Sequence, residues 1–151
     1  MSNQSPVPFS TTILVRDECL CLHAQRAARA LARQFDSAFR PLGISNGQFS
    51  LLMSLNRPEP PTMGPVADLL AMDRTTLTAM LKPLSRRGFL EILPGDKDRR
   101  ERRLKLTDEG LRILAEATPI WKRVHAEIEK HLPSGSAPRL REDLLTLATR
   151  D

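Results

Sequence analysis

The sequence lacks the features that would indicate a membrane or exported protein. No apolar run approaches the roughly 20 residues that a helix needs to cross a bilayer. Residues 1–12 contain two prolines and no basic segment leading into an apolar run, unlike a signal or transit peptide. We therefore expect a soluble protein in which residues 1–12 form a flexible arm.

The sequence also lacks the recognisable machinery of an enzyme. It contains no tyrosine, three histidines and two cysteines, and no nucleophile paired with a base, carboxylate pair or phosphate-binding glycine loop is apparent. His23, His125 and His131 lie on or beside apolar helical stripes, where a histidine is more often structural than catalytic. Cys19 and His23 share a helix face, but no complete set of metal ligands can be assembled around them. We predict no catalysis, no cofactor and no metal site.

What the sequence does contain is a local concentration of positive charge. Residues 74–105 hold ten basic and four acidic residues, a net charge of +6, whereas the whole chain carries +5. Cationic side chains gathered on one segment are what the neutralisation of DNA phosphates requires, and evenly scattered ones would indicate only solubility. A solvated charge run is the ordinary alternative. Here, however, the cluster coincides with two structural motifs.

The first motif is a helix-turn-helix between Thr62 and Gly88. Thr62 and Asp73 are predicted to cap its two helices, because their side-chain oxygens can accept hydrogen bonds from first-turn amides. An apolar stripe at helical spacing predicts the buried face of the second helix: Leu77, Met80, Leu81 and Leu84. The opposite face is small, hydroxylated and basic, which suits the DNA major groove. Its predicted DNA-contacting residues are Arg74, Thr75, Thr76, Thr78, Lys82 and Arg86.

The second motif is a β-hairpin with a basic tip. Apolar and charged residues alternate over residues 90–92 and 103–106, as in two strands that bury one face. Residues 94–100 form the exposed tip between them. We predict that Arg99, Arg100 and Arg102 contact DNA, with Arg100 entering the minor groove beside the helix.

Together these residues resemble the MarR family of winged-helix regulators. The resemblance rests on the segments MDRTTLTAMLKPLSRRGFL and DKDRRERRLKLTDEG. Its most specific part is a set of residues at the family's spacing: Asp98, Arg100, Leu106, Thr107 and Gly110. It extends more weakly over roughly residues 16–147. The resemblance implies a homodimeric DNA-binding regulator, in which Asp98 orients Arg100 through an ion pair. With DNA as the inferred partner, we expect the protein to be cytoplasmic.

Long amphipathic helices are predicted on both sides of the winged module, which spans residues 45–106. Apolar spacing indicates one continuous helix over residues 14–42, whose stripe is too long for the small module to bury. A capping box at Ser45 and Gln48 opens the next helix. A partner subunit is the economical way to cover the long stripe.

The remainder of the chain, residues 107–151, is predicted to form two more helices. Thr107 starts the first, Pro119 bends it, and residues 133–138 separate it from the second. The resemblance implies that these helices and residues 14–42 build the dimer interface. The expected fold is therefore mainly α (α+β). It is a single winged helix-turn-helix domain over residues 13–151, with long N- and C-terminal dimerisation helices and a two-stranded β wing.

The resemblance also implies an effector pocket near the dimer seam that takes small aromatic or phenolic acids. Each candidate ligand-binding residue is equally explicable as core or solvated surface. The candidates are Phe49, Met53, Trp121 and His125 for the lining, with His23 or Arg26 meeting a carboxylate.

Cys21 supports an alternative to a small-molecule effector. Its segment, LCLHAQRAARAL, resembles the region where peroxide-sensing members of the MarR family carry a reactive cysteine. Those members surround the thiol with tyrosines that lower its pKa, and this chain has none. A buried apolar thiol is the other interpretation. On a continuous helix Cys19 and Cys21 face nearly opposite ways, so we expect no disulfide between them.

The sequence thus predicts a sequence-specific DNA-binding transcriptional regulator. We expect a repressor that binds a pseudo-palindromic operator as a homodimer and is released by a small-molecule effector. The first alternative is a regulator that senses peroxide through Cys21. The second is a helical protein-interaction module without DNA binding, which would leave the basic helix face and the wing without a purpose.

Overall fold

The computed structural model describes residues 5–149 of the chain. The chain divides into two compact units, residues 1–34 and 35–151, each of which is described by itself below. The elements in chain order are α1 (Phe9–Glu18), α2 (Leu20–Phe39), a 3-10 turn (Arg40–Leu42), α3 (Asn46–Ser54), α4 (Met63–Leu69), α5 (Arg74–Arg86), β1 (Leu90–Pro94), β2 (Arg102–Leu106), α6 (Asp108–Glu129) and α7 (Ala137–Ala148).

The first unit contains two helices where one was predicted. α1 begins at Phe9, so residues 9–12 of the predicted arm are helical, and residues 1–4 lie outside the described residues. Cys19 ends α1 in an extended conformation, with φ −68° and ψ 109°. Its sulfur lies 3.4 Å from the amide nitrogen of Leu22, where it accepts a hydrogen bond in the first turn of α2. The predicted continuous helix over residues 14–42 was wrong, because Cys19 caps a new helix.

The second unit is built around one hydrophobic core. Its buried side chains come from the end of α2, the corner that follows, α3 to α6, the turn before β1 and both strands. They are Phe39, Ile44, Phe49, Leu51, Leu52, Leu55, Val66, Ala67, Leu77, Leu81, Leu84, Phe89, Leu90, Leu104, Leu106, Ile113, Leu114 and Ala117. The helix-turn-helix, the hairpin and the start of α6 therefore share a single core.

Capping side chains fix where three of the helices in this unit begin. Ser45 and Gln48 form the predicted capping box, with N···O distances of 3.1 and 3.0 Å. Asp73 caps α5 and Thr107 caps α6, also as predicted. Thr62 occupies the N-cap position of α4, but its side chain makes no capping hydrogen bond. That one predicted cap was wrong.

The sheet is an antiparallel pair in the predicted position. Its register places apolar residues opposite each other: Leu90 faces Leu106, and Ile92 faces Leu104. The sequence did not predict that the chain before α4 also joins the hairpin. Thr62 pairs with Arg103, and the amide of Leu104 donates to the carbonyl oxygen of Pro61 at 2.9 Å. The outer edge of β2 is therefore paired at Arg103 and Leu104.

α6 and α7 confirm the two predicted helices after the wing. α6 continues through Pro119 without interruption. α7 has no buried residue, and it leaves four leucines exposed: Leu140, Leu144, Leu145 and Leu147. Among residues 5–149, no helix combines the length and the apolar character needed to span a bilayer.

Candidate nucleic-acid interface

α5 exposes the side chains that were predicted to contact DNA. Leu77, Leu81 and Leu84 are at most 1% exposed and hold one face against the core. The helix passes through Pro83 without interruption. All six predicted contact residues of the helix are exposed: Arg74, Thr75, Thr76, Thr78, Lys82 and Arg86. The structure thus brings these residues together on one solvent-facing surface.

Local hydrogen bonds occupy two of the three threonine hydroxyls. The carboxylate of Asp73 accepts from the amide of Thr76 at 2.7 Å and from its hydroxyl at 3.1 Å. These bonds, the amide first, lower the pKa of Asp73, so the capping carboxylate stays ionised to lower pH than that of an unbonded aspartate. The hydroxyl of Thr78 donates to the carbonyl oxygen of Arg74 at 2.8 Å. Both hydroxyl protons are in use, so these side chains offer a DNA base their oxygen lone pairs.

The tip of the wing is a tight turn that exposes arginines. The wing here means β1, β2 and the tip, residues 95–101, between them. The amide of Gly95 donates to the carbonyl oxygen of Glu101 at 2.6 Å, closing the turn. A Cβ on Gly95 would lie 2.5 Å from the carbonyl oxygen of Asp98, so no larger residue fits without a shift. Arg99, Arg100 and Arg102 are all exposed around this turn.

Asp98 acts on the backbone of the wing tip. Its carboxylate accepts a hydrogen bond from the amide of Arg100 at 2.9 Å. The predicted ion pair between Asp98 and the Arg100 guanidinium is absent from residues 5–149, where the wing's ion pair joins Arg103 to Asp96 at 3.6 Å. That prediction was wrong about the contact. The carboxylate of Asp98 is two residues before Arg100, a spacing at which it bonds the backbone amide of the turn more readily than the distant guanidinium. A role for Asp98 in orienting the wing stays a prediction.

The start of α6 is tied directly to the turn that connects α5 to the wing. The hydroxyl of Thr107 donates to the carbonyl oxygen of Gly88 at 2.5 Å, and its amide donates to that of Phe89 at 3.1 Å. Gly110 lies over the same carbonyl, and a Cβ there would be 2.1 Å from the Phe89 oxygen. The sequence singled out Gly110 only through the family's spacing, and Thr107 through that spacing and as a predicted N-cap. Their physical role is to let α6 start against the end of α5.

A cavity of about 480 Å³ lies among α3, α4 and α6. Its lining includes three of the predicted ligand-binding residues, Phe49, Met53 and Trp121. His125 does not line it, although its ring stacks on Trp121 with centroids 4.7 Å apart. The sequence missed the remaining lining residues, which carry no motif of their own: Ser50, Ser54, Leu69, Leu70, Thr118 and Lys122.

The predicted ligand residues of the first unit lie in a different setting. His23 and Arg26 line an open groove along α2 together with Arg29 and Arg33. His23 is also engaged locally, since its Nδ1 lies 2.7 Å from the carbonyl oxygen of Cys19. Their predicted contact with the carboxylate of an effector stays a prediction.

Cys21 is exposed, which contradicts the interpretation of a buried apolar thiol. The side-chain amide of Gln25 donates to its sulfur, with an N···S distance of 3.3 Å. Cys19 is half-buried and lies at the break between α1 and α2. Because the helix is broken there, the expectation that the two cysteines face opposite ways on one helix does not apply. Among residues 5–149, no three His, Cys, Asp or Glu side chains form a metal-binding group.

These elements define a winged helix-turn-helix regulator. The MarR family model matches residues 44–101, which run from the corner before α3 to the tip of the wing. The chain belongs to the MarR family of transcriptional regulators. Membership confirms the predicted fold class. It also confirms the expectation that the chain is not an enzyme, because the proteins of this family regulate transcription.

Individual proteins support the assignment. The crystal structure of the transcriptional regulator MosR of M. tuberculosis in complex with DNA shares 37% sequence identity, covers 87% of this chain and 94% of that chain, and gives a TM-score of 0.79. A mutant MarR of E. coli complexed with operator DNA shares 25% identity over 88% and 96% of the two chains, with a TM-score of 0.78. The transcriptional repressor MprA of Escherichia coli (strain K12) is 29% identical over 120 residues, 78% of this chain and 65% of MprA. The chain thus spans slightly less than two thirds of the length of that relative.

Proposed function

We propose that this protein is a sequence-specific DNA-binding repressor that acts as a homodimer on a pseudo-palindromic operator. The observation that carries the proposal is the exposed face of α5 beside the exposed arginines of the wing. A helix of this kind reads base edges in the major groove, and a neighbouring basic hairpin reaches phosphate or the minor groove. The structures of MosR and MarR noted above contain DNA, which supports the same use of this fold. Because DNA is the partner, we expect the protein to act in the cytoplasm.

The positive charges of α5 and the wing are available to a binding partner. Within residues 5–149, none of the six predicted DNA-contacting cations forms an ion pair. They are Arg74, Lys82, Arg86, Arg99, Arg100 and Arg102. Some other arginines do form ion pairs, as Arg112 does with Glu109 and Glu116. Unpaired cations gathered on one surface favour phosphate binding by the release of counterions.

The dimer is proposed from apolar surface that the chain itself leaves open. Leu140, Leu144 and Leu147 follow one another at i, i+4 and i+7 on α7, and each is at least 41% exposed. α1 exposes Phe9 and Leu14 at 75% and 53%. A second copy would remove such surface from water in a closed two-fold assembly.

The decisive experiment is selection of bound sequences from a pool of random DNA duplexes. We expect a motif with two inverted half-sites whose centres lie about one helical turn apart. Light scattering of the complex would give two chains per duplex. If no motif emerges and the protein binds every duplex equally, the alternative of a helical protein-interaction module would take its place.

We further propose that a small aromatic or phenolic acid lowers the affinity for DNA from the cavity among α3, α4 and α6. The cavity is mostly apolar, and the exposed Lys122 at its edge provides a cation for a carboxylate. A ligand there would contact Leu69 and Leu70 at the end of α4, the helix that supports α5. Trp121 is the only tryptophan, so quenching of its fluorescence by such acids measures occupancy. Gel shifts with the same acids then test release of DNA.

Oxidation of Cys21 is a second candidate trigger. Its exposure and the hydrogen bond from Gln25 to its sulfur favour reaction of the thiolate with peroxide. We would compare wild type with Cys21→Ser in gel shifts with peroxide and with aromatic acids. Release by peroxide alone, abolished in Cys21→Ser, would replace the small-molecule effector by redox sensing.

A further inference from the structure

Arg87 makes a contact that crosses the second unit. It is the C-cap residue of α5, and its backbone amide bonds within the last turn of the helix. Its side chain extends to the corner between the 3-10 turn and α3, where Nη1 donates to the carbonyl oxygen of Gly43 at 2.7 Å. The two residues are separated by 44 positions in the sequence. The bond therefore joins the end of the recognition helix, α5, to a distant corner of the fold.

The corner is shaped to receive this side chain. Gly43 has φ +69°, in the left-handed region that favours glycine, and this conformation ends the 3-10 turn. A Cβ on Gly43 would lie 3.2 Å from Nη2 of Arg87. A larger residue at position 43 would therefore be strained and would also press on the guanidinium.

The same guanidinium also lies over the ring of Phe89. Its Cζ is 4.7 Å from the ring centroid, a cation–π geometry. Phe89 is 5% exposed and belongs to the core. Its carbonyl oxygen accepts the amide of Thr107 at the base of the wing. Arg87 thus contacts the corner, the end of α5 and the root of the wing at once.

The other side of the corner is fixed by Asp36 near the end of α2. Its Oδ1 accepts from the amide of Asn46 at 2.7 Å and from the side-chain amide of Asn46 at 2.8 Å. These bonds, the backbone amide first, lower the pKa of Asp36. Residues 43–46 are therefore held on one side by α2 and on the other by Arg87.

We propose that Arg87 is a positioning residue, which sets the placement of the recognition helix and the wing root by tethering them to the corner at residues 43–46. The inference rests on the proposed DNA binding and adds to it a residue that does not contact DNA. The guanidinium of Arg87 already bonds the carbonyl oxygen of Gly43 and lies over the ring of Phe89. Its neighbour Arg86 carries the same charge, but its side chain reaches only the carbonyl oxygen of Lys82, at 3.5 Å on the same helix. The two arginines therefore separate positioning from phosphate binding.

Arg86→Ala is the matched control for Arg87→Ala, and Arg87→Lys keeps the charge while losing the planar fork. A lysine ammonium cannot bond Gly43 and lie flat over Phe89 at the same time. Binding is measured by fluorescence anisotropy at several salt concentrations, on the operator duplex selected from the random pool and on a scrambled duplex of the same length. We expect Arg87→Ala and Arg87→Lys to weaken operator binding about tenfold, the effect of about one mismatched base pair, with the salt slope of wild type.

The control should respond differently. Arg86→Ala should weaken both duplexes alike and reduce the salt slope by about 1 for each phosphate that a subunit no longer neutralises. The proposal is overturned if Arg87→Lys binds the operator as wild type does, or if Arg87→Ala reduces the salt slope as Arg86→Ala does. Either result would make Arg87 a simple cation.

Hydrogen exchange tests the tether without DNA. In Arg87→Ala and Arg87→Lys, the amides of residues 43–46 and 87–89 should exchange faster than in wild type, and those of α7 should not change. Unchanged exchange at residues 43–46 would refute the tether, whatever happens to DNA binding. If wild type binds all duplexes equally, the proposed function fails, and the exchange data still decide the tether. If Arg87→Ala does not fold, DNA binding and hydrogen exchange are both measured on Arg87→Lys.

Discussion

Replacing Gly110 by alanine tests how tightly α6 is joined to the end of the recognition helix. Gly110 lies in the first turn of α6, where its amide bonds the Thr107 hydroxyl at 3.0 Å. A Cβ at this position would be 2.1 Å from the carbonyl oxygen of Phe89 and 3.3 Å from Cδ2 of Leu106. The nearer atom belongs to the backbone and cannot rotate away. The substitution therefore forces α6 and the base of the wing apart.

Two opposing effects set the size of the change. Alanine is favoured over glycine inside a helix by about 1 kcal/mol. Overpacking typically costs about 1–3 kcal/mol, and a backbone clash at 2.1 Å belongs at or above the upper end. We expect Gly110→Ala to lower the free energy of unfolding by about 2 kcal/mol.

Gly47→Ala provides the matched control in the first turn of another helix, α3. Its Cβ would meet only the end of the Met80 side chain at 3.4 Å and the Ser45 hydroxyl at 3.9 Å, both ordinary contacts. Only the preference of alanine over glycine in a helix then acts, and we expect Gly47→Ala to raise the free energy of unfolding by up to about 1 kcal/mol. Urea unfolding followed by Trp121 fluorescence and circular dichroism measures both variants. Protein concentration must be held constant, because a dimer's stability depends on it. A Gly110→Ala protein as stable as wild type would refute this account of the junction.

Four other changes test separate parts of the molecule. Thr78→Ala should weaken binding to the selected operator by about 1 kcal/mol or more, since the side chain of Thr78 is proposed to discriminate between bases. Arg100→Ala should weaken operator and scrambled duplexes alike and reduce the salt slope by about 1 for each phosphate-like contact it removes per subunit; equal loss of specificity in both variants, with unchanged slopes, would contradict the assignment. Ala71 has φ +51° in the turn before α5, so Ala71→Gly should leave stability unchanged or raise it by up to about 1 kcal/mol in urea unfolding, and a clear loss would show that the turn is unstrained. Deletion of residues 140–151 should weaken association and folding together, and a truncated protein that stays monomeric, folded and tightly bound to DNA would exclude α7 from the dimer interface.

The parts of the fold that follow local rules could be predicted from the sequence. Ser45, Asp73 and Thr107 cap helices because each side chain bonds an amide three residues away, and such spacing is visible in a sequence. The apolar stripe of α5 and the alternation of the wing strands reflect periods of 3.6 and 2 residues. These short-range patterns were sufficient to locate the exposed basic surface that we propose binds DNA.

The parts that depend on unusual caps or on distant residues could not be predicted. Cys19 interrupts the first helix by using its sulfur as a cap, a role that cysteine rarely signals. Thr62 failed as a cap and instead pairs with Arg103, 41 positions away, across the edge of the wing. The tether from Arg87 to Gly43 likewise has no pattern in the local sequence. Contacts of this kind appear only once the core has brought their elements together.

The pairing of residues 61–62 with β2 has a consequence for solubility. An unpaired strand edge offers free amides and carbonyls to another chain and so invites aggregation. Here Pro61 and Thr62 pair with the outer edge of β2 at Leu104 and Arg103. β1 carries the exposed charge of Glu91 and ends at Pro94, which has no amide to donate. The wing can therefore project into solvent beside the recognition helix without serving as a template for edge-to-edge pairing between molecules.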